Sequence, residues 1–471
     1  MPDRKMLKLH NTLSGKKEEF VPIKGNDVNM YVCGVTPYDE VHLGHGRCYV
    51  VFDVIRRYLK YRGYNVKYVQ NFTDIDDKII QRSDELRVAS NELAEKYINE
   101  YFIQIRKLNI LDADVYPKVT QKIPGIIEFV KKIIDNGYAY IVDGDVYFSV
   151  RKFKGYGKLS KRNIEDLKSG ARVEVDERKE DPLDFALWKK AKEGEPSWDS
   201  PWGKGRPGWH IECSAMSLNE FGFKTFDIHG GGLDLVFPHH ENEIAQSEAA
   251  LGKQFVRYWL HNGFVTINKE KMSKSLGNFF TLREIFEKYD PIVVRYFLLS
   301  QHYRSPLDFS DDKLEQAKSA WERVQNALEQ SEEMIKILPD GELSDGVRIA
   351  IDHICAEFAK AMEDDFNMPD ALASIHRLVN AAFILRRDLP VGLTKNDVDY
   401  HKSKLAELCG VLGLKTKNEI AIPQNVLELA RDRQRARSEK NWQLADELRK
   451  EIEKLGFTVE DTKSGPKIKK I

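Results

Sequence analysis

The strongest constraint on the fold is a strand–turn–helix–strand run in residues 28–72. Residues 28–35, Val-Asn-Met-Tyr-Val-Cys-Gly-Val, read as a buried strand. Residues 47–61 read as an amphipathic helix that ends at Gly63, and residues 65–72 as a second strand. Strand, helix and strand at this spacing make a βαβ unit, which requires a parallel sheet and a right-handed crossover. The turn inside the unit carries His42-Leu43-Gly44-His45. That places the two histidines where open α/β sheets bind ligands, beyond the C-terminal ends of the strands.

At 471 residues the chain exceeds what one core organises, so further domains are expected. The predicted fold class is α/β, with a Rossmann-like parallel-sheet catalytic domain over residues 1–311. An insertion at about 112–208, rich in Gly and Pro with short strand-like pieces, interrupts it. Helical patterns occupy residues 90–108 and 123–136, and strand-like sequence resumes at 225–229 and 258–267. Leu314, Ala317, Trp321, Val324 and Leu328 then mark one face of the first helix of a bundle of about four, residues 312–414. A polar linker leads to a small unit, 424–471, with two helical segments meeting near Asn441, a short strand at 456–459 and a lysine-rich tail.

Composition excludes several classes. Hydrophobic residues at 42% and charged residues at 31% describe a globular chain, and no apolar run reaches the roughly 18 residues of a membrane span. Residues 1–20 lack an apolar leader segment, and five scattered cysteines form no disulfide framework, so a reducing, cytoplasmic setting is expected. A net charge of −1 does not itself point to a polyanion, although a local basic face on a neutral chain suffices to hold one.

His-x-Gly-His alone is a weak signal, and two histidines in a polar loop would satisfy it. In a strand-to-helix turn it gains force. Gly44 lets a phosphate approach the backbone, the helix N-terminus favours negative charge, and imidazoles donate hydrogen bonds to phosphate oxygens. Lys271-Met272-Ser273-Lys274-Ser275 is far more specific. Two lysines spaced by three on a loop of small residues can close on a triphosphate and neutralise departing pyrophosphate. An exposed basic turn is the bland alternative, to which Gly277 and Asn278 are equally suited. Together the motifs predict adenylylation of a carboxylic acid by ATP, accompanied by Mg2+.

A third group is scattered. Pro238-His-His-Glu-Asn-Glu243 spaces His239 and Glu243 by four, on one helical face, so that both can reach one metal. Cys213, and Cys33 at the end of the first strand, supply thiolates. Two Cys, a His and a Glu suit zinc, although no C-x-x-C ribbon occurs; two buried, unliganded cysteines are the alternative.

Met30-Tyr-Val-Cys-Gly-Val-Thr-Pro-Tyr-Asp39, the His-Leu-Gly-His turn, Asn71-Phe-Thr-Asp-Ile-Asp-Asp77, Gly208-Trp-His-Ile-Glu-Cys213, residues 237–246 and residues 271–280 resemble the cysteinyl-tRNA synthetases. These are class I aminoacyl-tRNA synthetases, and the resemblance runs from near residue 7 to the C-terminus. It implies one zinc ion on Cys33, Cys213, His239 and Glu243, joined by the thiolate of substrate L-cysteine. It implies that Thr73 and Trp209 line the amino-acid pocket and that Gly44, His229, Asp234 and Lys274 contact ATP. His42, His45, Lys271 and Lys274 would handle the triphosphate. Residues 265–311 would carry the second motif and contact the tRNA stem. The partner would be tRNA(Cys), its anticodon read by Arg437, Trp442 and Asp461, and the enzyme would act as a monomer away from membranes. Leu43 replaces the common isoleucine, and Gln81 stands where many bacterial members carry a lysine linked to a persulfide side activity, which is therefore not expected.

Independently of the resemblance, Arg431, Arg433, Arg435 and Arg437 precede Trp442, a pattern that can hold phosphates and stack an unpaired base. A solvated charged helix is the alternative. A related ligase that joins cysteine to an amino-sugar would share the metal site and both nucleotide motifs but lack this last unit. A non-catalytic paralogue would not need the intact histidines and lysines. Removal of the residues after Pro423 is expected to spare adenylate formation and to cripple tRNA charging. Parallel pyrophosphate-exchange and charging assays check this, and undiminished charging would show that the unit has another role.

Overall fold

The computed structural model describes residues 6–163, 178–267, 270–271, 279–388, 391–416, 424–439, 441–462 and 465–470. It forms two compact units, Met1–Leu414 and Lys415–Ile471.

The first unit is built on a four-stranded parallel sheet in the order Val256–Asn262, Phe226–Gly232, Asp27–Val35, Asn65–Phe72. The strand Asp27–Val35 lies inside the sheet, and over Met30–Cys33 its side chains alternate between two cores, as the period of two requires. Met30 and Val32 pack with the crossover helix Leu43–Tyr61 and with the bundle, and a register shift between Val32 and Val35 returns Val35 to that side. Tyr31 and Cys33 face the opposite core, with the helices Val119–Asp135, Trp209–Glu220 and Glu241–Leu251. Both faces are covered, which is why the strands read as nearly continuous apolar runs.

The crossover helix starts at Leu43, four residues before the periodicity predicted, because His42 is its N-cap. The second expected strand pair also differs in detail. Residues 225–229 extend to Gly232, and residues 258–267 divide into Val256–Asn262 and Val265–Ile267. An N-terminal hairpin, Lys8–Asn11 with Lys16–Glu19, and a helix, Asp77–Leu86, are too short and too polar for the periodicity to have marked them. Within the insertion, Ala139–Val142, Asp145–Phe148, Phe185–Lys190 and Gly205–Pro207 form an antiparallel sheet of their own.

The bundle consists of Asp311–Ile337, Asp345–Glu363, Met368–Asp388 and Lys395–Val411. It shares one hydrophobic core with the crossover helix. A buried ion pair fixes this junction. Arg295, fully buried, donates to Asp53 Oδ2 at 2.5 Å and to the carbonyls of Leu412 (2.9 Å) and Leu108 (2.8 Å). Asp53 also accepts from Arg57 at 2.7 Å and from the Leu111 amide at 3.0 Å. Burial works against the Asp53 charge, but Arg295 and Arg57 hold the carboxyl below its usual range. Gly413 closes the site: its φ of +65° is open chiefly to glycine, and a Cβ there would collide with the Arg295 guanidinium.

The second unit pairs Gln424–Ser438 with Trp442–Lys454 and ends in an antiparallel hairpin, Phe457–Thr462 with Gly465–Lys470. The lysine-rich tail is thus a strand, set opposite the apolar one so that Val459 faces Ile468 across the ladder. Val426, Ala430, Ile452, Phe457 and Val459 form its small core.

Asp53→Asn leaves the Arg295 cation buried without an anion and is expected to destabilise the first unit by about 3–5 kcal/mol. The double variant with Arg295→Met should lose less than Asp53→Asn alone, as read by urea unfolding.

Candidate active site

The crevice lies beyond the C-terminal ends of the parallel strands. Tyr31 pairs with His229 and Val35 with Phe72, so Cys33, Thr73 and the segment after His229 reach the same edge. Cys213 arrives on the first turns of Trp209–Glu220, and His239 and Glu243 where the chain enters Glu241–Leu251.

These four side chains converge. Their ligand atoms lie within 4.8 Å of one another, and all four are buried. Cys33 Sγ is 3.7 Å from Cys213 Sγ and 3.6 Å from Glu243 Oε1, and His239 Nε2 is 3.2 Å from Glu243 Oε1. Tetrahedral zinc, with sulfur at about 2.3 Å and nitrogen or oxygen at about 2.0–2.2 Å, sets its donors about 3.3–3.8 Å apart. The donor set fits that ion.

A second combination, Cys33, His229, His240 and Glu243, is also compact. It differs in bonding. His229 Nε2 is 2.9 Å from Glu243 Oε2, the oxygen turned away from His239, and its ring stacks on Trp259 at 4.5 Å. His229 therefore orients Glu243, as outer partners of metal ligands do. His210 does the same for His239, with their Nδ1 atoms 3.0 Å apart.

The electrostatics match a cation site. A hydrogen bond from Cys33 draws the Cys213 thiol down to about 6 against its burial, with help from His239. Burial pushes Cys33 up, reinforced by Cys213 and Glu243. Burial opposes the Glu243 charge, yet His229 and His239 hold it at about 2. Burial likewise opposes charge on His239, which Cys213 and Glu243 raise to about 10. Anions gathered out of water around one imidazole form the charge pattern that a divalent ion neutralises.

The pocket residues expected from sequence lie against this cluster. The Trp209 ring, 40% exposed, sits 4.4 Å from the His239 ring. Thr73 is buried and donates to Glu212 Oε2 at 2.9 Å. His229 is placed behind the metal donors, fully buried, rather than in the open crevice. Asp234 is exposed and lies near enough to the crossover helix that, after burial, its charge helps to push the Cys48 thiol up.

His42 and His45 cap the crossover helix reciprocally. The His45 amide donates to His42 Nδ1 at 3.3 Å and the His42 amide to His45 Nδ1 at 3.4 Å, with the rings stacked 3.6 Å apart. An accepting Nδ1 leaves the proton of the neutral ring on Nε2, the form that donates to a phosphate. Gly44 lies half-buried in the same first turn. The second motif is tied to the first: the Leu43 amide donates to Phe280 O at 3.2 Å and the Leu282 amide to Val41 O at 2.9 Å. Lys271 pairs with Thr266 in the strand Glu270–Lys271, and Lys274 lies outside the described residues.

In the second unit Arg437 stands over the Trp442 ring, 5.4 Å from its centroid, and Trp442 is 56% exposed. Asp461 falls on the hairpin strand, its side chain outside the described residues. Arg433, expected among the phosphate-holding arginines, is buried.

Sequence reasoning did not assign His210, Glu212 or the orienting role of His229. The signal was present in Gly208-Trp-His-Ile-Glu-Cys213, where helical spacing alone does not say which side chains turn toward the strand ends. Among the described residues no helix is long and apolar enough to cross a membrane.

Comparison with known proteins agrees with this architecture. Solved structures with the same fold include Mycobacterium tuberculosis methionyl-tRNA synthetase in complex with methionyl-adenylate, at a TM-score of 0.59 and 17% identity over 82% of this chain and 89% of that one. Residues 19–319 match the family of tRNA synthetases class I (C) catalytic domain, so fold and site define a class I tRNA synthetase. Residues 357–417 match the DALR domain and residues 421–466 the cysteinyl-tRNA ligase anticodon binding domain. The cysteine--tRNA ligase of Carboxydothermus hydrogenoformans is 54% identical over 99% of this chain and 100% of its own length. That of Endomicrobium trichonymphae is 53% identical over 98% of each. The chain belongs to the cysteinyl-tRNA synthetase family.

Replacing His210 by Phe is expected to weaken metal binding by about 10–100-fold, and Cys213→Ser by more. Titration against a chromophoric chelator measures both, and a Cys213→Ser variant with undiminished metal affinity would remove Cys213 from the donor set.

Proposed function

We propose that the chain activates L-cysteine with Mg-ATP to give cysteinyl-adenylate and pyrophosphate, and then transfers the cysteinyl group to the 3′ end of tRNA(Cys). The observation that carries this reading is the placement of Cys33, Cys213, His239 and Glu243 at the strand edge that also holds the His42–His45 helix terminus.

In the first step the cysteine carboxylate attacks the α-phosphate and the bond to the β,γ-pyrophosphate breaks. No side chain is needed as a covalent nucleophile. His42 and His45 donate from Nε2 to phosphate oxygens as their charge grows, and Lys271 and Lys274 neutralise the leaving pyrophosphate. Gly44 gives the phosphates access to the helix N-terminus, where the backbone amides favour negative charge. Asp234 faces the nucleotide. Thr73 and Trp209 enclose the amino acid, and His229 holds the carboxylate of Glu243 in place. In the second step a ribose hydroxyl of the terminal nucleotide attacks the adenylate carbonyl and AMP leaves.

Specificity is the harder problem. Serine differs from cysteine by one atom, and an ordinary pocket separates such a pair by only about 1–3 kcal/mol. Cys33, Cys213, His239 and Glu243 would hold zinc, which would supply a Lewis-acid position that prefers thiolate to neutral hydroxyl. Arg437, Trp442 and Asp461 read the anticodon, with an exposed cation–aromatic pair of the kind that stacks an unpaired base. Residues 265–311 contact the tRNA stem, and the enzyme works as a cytoplasmic monomer. The match of residues 421–466 to an anticodon binding domain weighs against the amino-sugar ligase.

Purified protein is expected to exchange pyrophosphate into ATP with cysteine and at least about 100-fold less efficiently with serine, beyond the reach of a plain pocket. Equal exchange with the two amino acids would overturn the thiolate-selective account.

A further inference from the structure

Arg47 lies one residue beyond the His-Leu-Gly-His-Gly run, on the inner side of the crossover helix, and is fully buried. It differs from the other deeply buried arginine of this core. Arg295 faces the Asp53 carboxylate, whereas every acceptor of Arg47 is a backbone carbonyl. Its Nη2 donates to His302 O at 3.2 Å, Tyr303 O at 3.3 Å and Ser305 O at 2.5 Å. Nε and Nη1 are buried without a partner. A guanidinium held this way is poor as a stabilising element, because the cation is desolvated with no anion to offset it. What the arrangement does is grip one loop.

That loop is linked to the second motif through strand pairing. Residues 302–305 precede the strand Leu307–Phe309, which pairs in parallel with Val265–Ile267. Val265–Ile267 in turn pairs with Glu270–Lys271. On the far side of the loop the Gly263 amide donates to Tyr303 O at 2.8 Å. A Cβ on Gly263 would approach Ser305 O to 2.5 Å and Arg304 O to 2.8 Å, so the loop is clamped between Arg47 and a residue that must be glycine. The other flank of the motif is anchored separately, by the bonds of Leu43 and Val41 to Phe280 and Leu282. The same helix therefore holds both ends of the lysine segment. Its N-cap region holds the exit, and Arg47 holds the strand pair from which Lys271 emerges.

We propose that Arg47 is a positioning residue for adenylylation. Through the 302–305 loop it fixes the register of the Lys271 strand against His42 and His45, so that the lysines meet the phosphates where the imidazoles do. The inference rests on the adenylylation reading above. Wild-type exchange with cysteine tests that reading, and the comparison of variants with wild type tests this one.

The experiment is pyrophosphate exchange by full-length Arg47→Met, Arg47→Lys and Gly263→Ala, with rates expressed per titrated active site and melting temperatures measured alongside. Arg47→Met matches the shape of the stem but grips nothing. Its kcat is expected to fall at least tenfold while KM for cysteine stays within twofold of wild type. Arg47→Lys retains a donor for one carbonyl and should recover part of the loss. Gly263→Ala displaces the same carbonyls from the opposite side and should lower kcat in the same way. A purely structural role would lower the melting temperature or the number of active sites and leave kcat per site unchanged, which would overturn the proposal. If Arg47→Met does not fold, wild-type kcat in both Arg47→Lys and Gly263→Ala would overturn it equally.

Discussion

The parallel pairing of Asp27–Val35 with Asn65–Phe72 on one side and Phe226–Gly232 on the other is the constraint from which the rest of the first unit follows. With Tyr31 set opposite His229, the ends of three strands share one edge. A shift of one residue would exchange the two faces of the strand and send Cys33 to the wrong core. The register is held by burial on both sides. Met30 and Val32 are claimed by the core of the crossover helix, and Tyr31 and Cys33 by the core under the metal donors. The candidate metal site at this edge thus depends on apolar packing more than on its own donors.

Charge is handled differently in the two buried regions. At Asp53 and Arg295 opposite charges meet with their remaining donors satisfied by carbonyls, and the pair fastens the crossover helix to the end of the bundle. Around Cys33, Cys213, His239 and Glu243 the donors crowd together with their acid strengths driven apart, Cys213 and Glu243 downward and Cys33 and His239 upward. The first arrangement is complete within the chain. The second is an environment that could hold a cation.

Much of this was legible. The βαβ unit followed from apolar runs separated by an amphipathic helix, and the bundle from residues such as Leu314, Trp321 and Leu328 recurring at helical spacing. The i, i+4 relation of His239 and Glu243 was visible because helical neighbours in sequence are neighbours in space. The start of the crossover helix was not, since a histidine pair serving as its capping box is outside the usual Ser, Thr, Asp and Asn signals. The closing strand Gly465–Lys470 was hidden for a similar reason: edge strands carry lysines that resemble a disordered tail.

Sequence by itself determined the chemistry available: two histidines in one short motif, two lysines spaced by three in another, and four soft and hard donors. Only the tertiary structure decided which of them meet. Cys33 and Cys213 are 180 residues apart, and their 3.7 Å separation is a product of strand order and helix packing that no local pattern encodes. The assignment of His229 to Glu243, the packing of Trp209 against His239, and the grip of Arg47 on a loop some 255 residues away share that origin. Local periodicity records which face of an element is buried. It does not record what lies on the other side of the contact, because that is fixed by the summed packing of segments far apart in the chain.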